Sequence, residues 1–253
     1  MSAGDGLLVL ADSPIHRLPA QVKIVALLIF VLAVVSSPAE RFWAFAVFAA
    51  LVVGCIRLAR LPGTTVLRRL AVETPFIVFA LLLPFVATGP KVDLLGLRLS
   101  EAGVLGAWNL LAKGTLGVLA AIVLSGSTSP RELLSGLERL RLPSTLVAIL
   151  SFMVRYLSVV SGDLQRMRIA RESRAYAGGR AGHLKAVAAG AGALFVRSYE
   201  RGERVHLAML ARGYNGTMPP LSDGGATRVQ WATGLALPAV AVLVAVAARM
   251  LPW

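Results

Sequence analysis

The chain has little of what a soluble enzyme or a disulfide scaffold needs. Its 253 residues contain one cysteine, Cys55, set inside an apolar run, so no internal disulfide and no cysteine-ligated metal cluster can form. Charged residues make up 15% of the chain against 57% hydrophobic. With a mean hydropathy of +0.73, that balance belongs to a membrane protein. The three histidines, His16, His183 and His206, are scattered without metal-ligand spacing. No Gly-x-x-x-x-Gly-Lys-Ser/Thr stretch occurs, so this chain has no P-loop to cradle nucleotide phosphates, and an associated ATPase must be another polypeptide. Asp5 and Asp12 precede the first cations, which is not the positive leader of a cleaved signal peptide. The first apolar segment is therefore expected to be a retained membrane helix.

What is present is apolar length with a basic excess. Four apolar segments, Val22–Ser36, Phe42–Ile56, Pro75–Thr88 and Val104–Leu124, fill the first half, and a fifth, Trp231–Leu251, closes the chain. Spanning helices need about 20 mostly apolar residues, so the first three are expected to extend into flanking polar positions. Pro84 and Pro238 interrupt two of them, where neighbouring helices compensate for the missing backbone donor. The net charge of +13 reads by location. Arg57, Arg60, Arg68 and Arg69 lie between segments two and three with no acid until Glu73, whereas Glu40 offsets Arg41, and Asp93 and Glu101 offset Lys91 and Arg98. The positive-inside rule then places that second loop and the N-terminus in the cytoplasm. No basic run is interleaved with aromatics, so nucleic acid is excluded as a partner. Lys113 is the only ionisable residue read as lying well inside a span. It has no acid partner in the pattern, which favours packing or snorkelling over a transport role.

Residues 126–230 differ in kind, separating an N-terminal membrane region (1–125) from a final span (231–253). Ser129-Pro130-Arg131-Glu132 opens a short helix with a Ser cap and Pro in its first turn, and Leu133, Leu134, Leu137 and Leu140 form one face before Leu142-Pro143 ends it. From Ser144 a long helix carries Leu146, Leu150, Met153, Leu157, Val160, Leu164 and Met167 at alternating steps of four and three, a coiled-coil-like seam. A third helix is expected over Leu184 to Arg212, small-residue rich at its start, with Leu184, Val187, Ala191, Leu194, Val205 and Ala208 at heptad-like spacing.

The ends of the two long helices repeat a local design. Ala170, Arg174, Tyr176 and Gly178 align with Ala208, Arg212, Tyr214 and Gly216. Small residues flank the arginine in both copies: Ser173 and Ala175 in the first, Ala211 and Gly213 in the second. A cation in the last turn of a helix interacts favourably with the macrodipole, and a following glycine is an ordinary cap. That explains one arginine, but not the matching neighbours. Small flanks leave the planar, five-donor guanidinium free to enter another protein's groove.

On these residues the chain resembles the transmembrane T component of energy-coupling-factor importers, in particular the Q subunit of cobalt uptake systems. In that family two Ala-Arg-Gly motifs end two cytoplasmic coupling helices. Ala211-Arg212-Gly213 matches in full, and Ser173-Arg174-Ala175 keeps the arginine and the small neighbours. Asp12-Ser13-Pro14-Ile15-His16-Arg17-Leu18 resembles the start of the family's first membrane helix, then departs at Pro19-Ala20-Gln21. The resemblance implies an all-α integral membrane protein of about five transmembrane helices with a cytoplasmic arm of long amphipathic coupling helices, in the bacterial cytoplasmic membrane. It further implies a non-catalytic subunit that binds no cofactor or metal. Arg174 and Arg212 would engage two P-loop ATPase subunits, which use the ATP. Leu133, Leu137, Leu140, Leu150, Met153, Leu157 and Leu164 would face a separate, metal-binding membrane subunit that captures the cargo. Cobalt is the implied cargo. The alternatives are nickel, a vitamin, or a scaffold that docks cytoplasmic proteins without transport.

Overall fold

A computed structural model describes residues 13–87, 91–94, 97–173, 180–216 and 225–250. Along it run α1 (Ala20–Ser36), α2 (Phe42–Leu58), α3 (Gly63–Leu70), a 3-10 turn at Ala71–Glu73, α4 (Thr74–Val86), β1 (Lys91–Leu94), β2 (Leu97–Ser100) and α5 (Glu101–Ser127). After these come α6 (Pro130–Arg139), α7 (Ser144–Ser173), α8 (Arg180–Leu210) and α9 (Arg228–Met250). The protein is an all-α membrane protein with one small hairpin, in which Lys91 pairs with Ser100 and Leu94 with Leu97. The sequence pattern gave a plain loop there, because four-residue strands are too short for their alternation to stand out from a loop.

The stretches Gly63–Val86, Glu101–Ser127 and Arg228–Met250 are long and apolar enough to cross a bilayer, and α1 and α2 are shorter apolar helices. The third span differs from expectation. Its helical stretch begins at Gly63 rather than Pro75, because α3, the 3-10 turn and α4 run on without a break. Glu73 therefore lies inside a span instead of in a loop. It is 2% exposed and accepts a hydrogen bond from Thr115 Oγ1 at 2.8 Å. Lys113 is thus not the only ionisable residue within the spans. The apolar count alone starts too late, since the arginines of α3 mask its helical continuity.

The chain divides into two compact units, the boundary falling between Gly136 and Leu137. The first holds α1 through most of α6 together with α9. Its core joins Phe30, Ala33 and Val34 of α1, Phe45, Phe48 and Val52 of α2, Leu116 of α5, and Ala241, Ala245 and Ala248 of α9. Small residues on α9 let backbones approach closely, which is how helices associate where no water drives them together. Gly234 shows the limit, because a Cβ there would fall onto Val22 Cγ1 of α1. Pro84 and Pro238 are carried inside α4 and α9. The Ser129 cap of α6 is present and is reciprocal: Glu132 N–H donates to Ser129 Oγ, and Ser129 N–H donates to Glu132 Oε2 at 2.8 Å, a capping box.

The second unit holds the end of α6, α7 and α8, a pair of long helices of 30 and 31 residues. Each is about 45 Å long at 1.5 Å per residue. By length and composition α7 also qualifies as a span. However, its C-terminal half carries Asp163, Arg166, Arg168 and Arg171 and reads as an amphipathic helix outside the bilayer.

Candidate docking site on the helical arm

The half of α7 nearest its start pairs with the half of α8 nearest its end. Thr145, Ala148, Ile149, Phe152, Met153, Tyr156 and Val160 of α7 face Ser198, Arg201, Gly202, Val205, His206 and Met209 of α8 across a groove of about 500 Å³. Phe152 and Tyr156 stack along it, their ring centroids 6.3 Å apart. An ionic tie joins the helices further along: Arg201 Nη2 donates to Asp163 Oδ2 at 3.2 Å, while Arg166 holds the other carboxylate oxygen. These bonds, that from Arg166 above all, keep the Asp163 carboxyl below its ordinary value.

The α8-facing stripe of α7 is not the seam read from the sequence, with which it shares only Met153 and Val160. The first half of α7 is apolar over more than one stripe, so period alone does not choose between two faces. The rest of the seam lies off the groove: Leu157 and Leu164 are 54% and 48% exposed, Leu150 is half-buried, and Met153, at the groove's edge, is 62% exposed. On α6, Leu133 and Leu137 are half-buried and Leu134 is buried; Leu140, in the turn after it, is half-buried. Packing within the chain therefore leaves much of the seam uncovered.

At its end α8 closes with a Schellman motif. Tyr214 N–H reaches back to Met209 O and Gly213 N–H to Leu210 O, with Gly213 in the left-handed region at φ +83°. That is the pairing of this cap, and the glycine bears no Cβ penalty there. Arg212 consequently stands two residues past Leu210, the last residue of α8, in the closing turn rather than within the helix. Tyr214 lies with Met209 in the α7–α8 groove, folding the chain back so that Ala211, Arg212 and Gly213 are all exposed. The Arg212 side chain has no hydrogen-bond or ion-pair partner among the described residues. The geometry presents an exposed guanidinium at the capped tip of α8.

Of the first copy, Ser173 ends α7 and its hydroxyl donates to Ile169 O at 2.9 Å. Arg174 and Ala175 lie outside the described residues, so the structure does not bring the two arginines together for inspection.

Two polar clamps escaped sequence reasoning. Lys23, inside the first apolar segment and given no role there, is buried, and its Nζ donates to Ser127 O at 2.9 Å, Thr128 Oγ1 at 3.2 Å and His16 O at 3.3 Å. Lys113 donates to Val35 O at 2.9 Å, and Arg249 donates twice to Ser36 O at 3.0 and 2.7 Å. Orphan carbonyls at helix C-termini need such donors, so these cations cap the ends of α5 and α1. A lysine four residues into an apolar helix was the visible signal for Lys23. Its carbonyl partners, a hundred residues on, were not visible.

Together the apolar spans and the paired long helices, with an exposed arginine in the turn that closes α8, define a polytopic membrane protein. The chain belongs to the cobalt transport protein family (CbiQ), whose profile matches residues 11–221. It is 25% identical to the energy-coupling factor transporter transmembrane protein EcfT of Bacillus subtilis over 225 residues, 83% of this chain and 84% of that protein. It is 28% identical over 145 residues to the cobalt transport protein CbiQ of Rhodobacter capsulatus, covering 55% of this chain and 59% of that one. An uncharacterised protein of Methanocaldococcus jannaschii is 31% identical over 100 residues, and there the match spans 40% of this chain and 37% of that protein's length.

Proposed function

We propose that this chain is the energy-coupling membrane subunit of an energy-coupling-factor importer, with Arg212 and Arg174 as the tips that engage two P-loop ATPase subunits. The observation that carries the reading is Arg212 itself: exposed, without a partner among the described residues, and held by a Schellman cap at the end of a 31-residue helix. Desolvating an unpaired guanidinium is costly unless carboxylates or carbonyls receive it in a matching fork. Ala211 and Gly213 leave room for such a groove to close around it.

Coupling follows from rigidity. ATP binding and hydrolysis in the partners would open and close their dimer, and α7 and α8, tied by Asp163 and Arg201, would carry that motion as one lever. The seam of Leu150, Met153, Leu157 and Leu164, with Leu133 and Leu137 of α6 and Leu140 just after it, would present it to a substrate-binding membrane subunit. Such transmission needs a partner that makes different contacts in two states. The relatives' names favour cobalt as cargo, with nickel or a vitamin as the alternative. The arginines between α2 and α4 support a cytoplasmic N-terminus, and the resemblance to this family supports a bacterial cytoplasmic membrane as its location.

ATP-driven uptake in vesicles holding the full complex tests this reading. Uptake of cobalt that requires ATP and is lost with Arg174→Glu plus Arg212→Glu supports it. Uptake unchanged in the folded double variant refutes it.

A further inference from the structure

The turn between α2 and α3 carries an unusual cap. Arg60 N–H bonds to Arg57 O and Leu61 N–H to Ile56 O, the Schellman pairing again, but the left-handed position is held by Arg60 at φ +52°. Glycine is the residue that suits this position, and an L side chain there is disfavoured. Arg141 holds the same position after α6 at φ +61°, so it is the surroundings of Arg60, and not the backbone alone, that point to a use for its side chain. The Leu61 that follows is buried and packed where a Cβ on Gly126 of α5 would clash, so the turn is fixed against the bundle.

Around that anchored turn the surface is basic and apolar together. Arg57, Arg60 and Arg68 are exposed, and none has a partner among the described residues. No acid occurs from Arg57 to Val72. Between and beside the arginines, Leu67 and Val72 are 71% and 74% exposed, and no residue of α3 is buried. Depth supports the same reading. The 13 residues of α4 cover about 20 Å, short of the roughly 30 Å hydrocarbon layer, so the 3-10 turn and the end of α3 must complete the span. The α3 arginines then sit at its edge, and Arg69 Nη1 donates to Ser125 Oγ at 3.3 Å, near the end of α5.

We infer that Arg57, Arg60 and Arg68 form a binding surface for anionic phospholipid headgroups, with Leu67 and Val72 seated in the adjoining acyl region. Charge complementarity selects this occupant. Three unneutralised cations at headgroup depth, interleaved with exposed apolar side chains, match a phosphate plane over hydrocarbon. The surface belongs to the membrane bundle and is independent of the arginine tips.

The test titrates the purified full chain in detergent with phosphatidylglycerol or phosphatidylcholine and counts bound lipid by native mass spectrometry. The wild type prefers phosphatidylglycerol, by roughly fivefold for each arginine near the surface. The variant Arg57→Gln/Arg60→Gln/Arg68→Gln loses the preference, the corresponding triple Lys variant keeps it, and Arg204→Gln on α8 leaves it unchanged. Should the triple Gln variant fail to fold, Arg60→Gly, which suits the left-handed turn, reads out a single fivefold loss. A wild type without preference for phosphatidylglycerol overturns the inference, as does a folded triple Gln variant that retains it. Retained lipid preference with weakened ATPase binding would make the patch a protein-docking surface instead.

Discussion

The carboxylate of Asp163 on α7 receives the guanidinium of Arg201 on α8 at 3.2 Å, joining the two long helices where their apolar groove gives way to charge. Asp163→Asn or Arg201→Met should leave both helices formed and loosen their pairing. Spin-label distances between α7 and α8 would broaden in the variants and stay narrow in the wild type.

The same tie sets a pH dependence. The folded Asp163 carboxyl is held below an ordinary aspartate's 3.8 by Arg166 first and Arg201 next. A depressed folded value contributes stability that is present above 3.8 and lost as pH falls through the lower folded value. The α7–α8 distance is therefore expected to be constant from pH 7 to pH 5 and to loosen only below 3.8. Asp163→Asn should remove that acid transition.

Gly213 holds the cap that aims Arg212. At φ +83° a Cβ is unfavourable, so Gly213→Ala should cost about 1 kcal/mol locally. Because nothing else lies near the position, the bundle should keep its Tm while affinity for the ATPase partners falls.

Lys113 separates a capping role from a transport role. Its bond to Val35 O is exposed, so Lys113→Gln should destabilise by only about 1 kcal/mol. Uptake per folded molecule should be unchanged. A large loss of uptake at unchanged Tm would instead give Lys113 a part in transport.

The exposed seam predicts a specific failure. Leu157→Asp replaces a side chain more than half exposed and outside the α7–α8 groove, so the chain should fold normally. Its co-purification with the substrate-binding membrane subunit should be lost.

Much of this was legible in the sequence, for definite reasons. Apolar length marks spans, Ser129 and Pro130 mark a helix start, and Gly213 marks a helix end, because each is a local rule. Pairing across the fold was not legible. Glu73 read as a loop acid because its partner, Thr115, lies in another span, and Lys23 gave no sign that Ser127 O would bury it. The α7 seam was found, but which stripe α8 would occupy depends on where Asp163 and Arg201 lock the pair, and helical period does not encode that.

The most direct measurement is binding of the P-loop ATPase pair to the reconstituted chain, comparing wild type with Arg212→Glu, Arg174→Glu and both together, each verified as folded. Two equivalent tips predict that each single reversal weakens binding by roughly 30-fold or more, as expected when one side of a buried ion pair is reversed, and that the double reversal abolishes it. Unchanged binding by the folded double variant would contradict the account, leaving Arg212 and Arg174 as helix-end cations with no docking role.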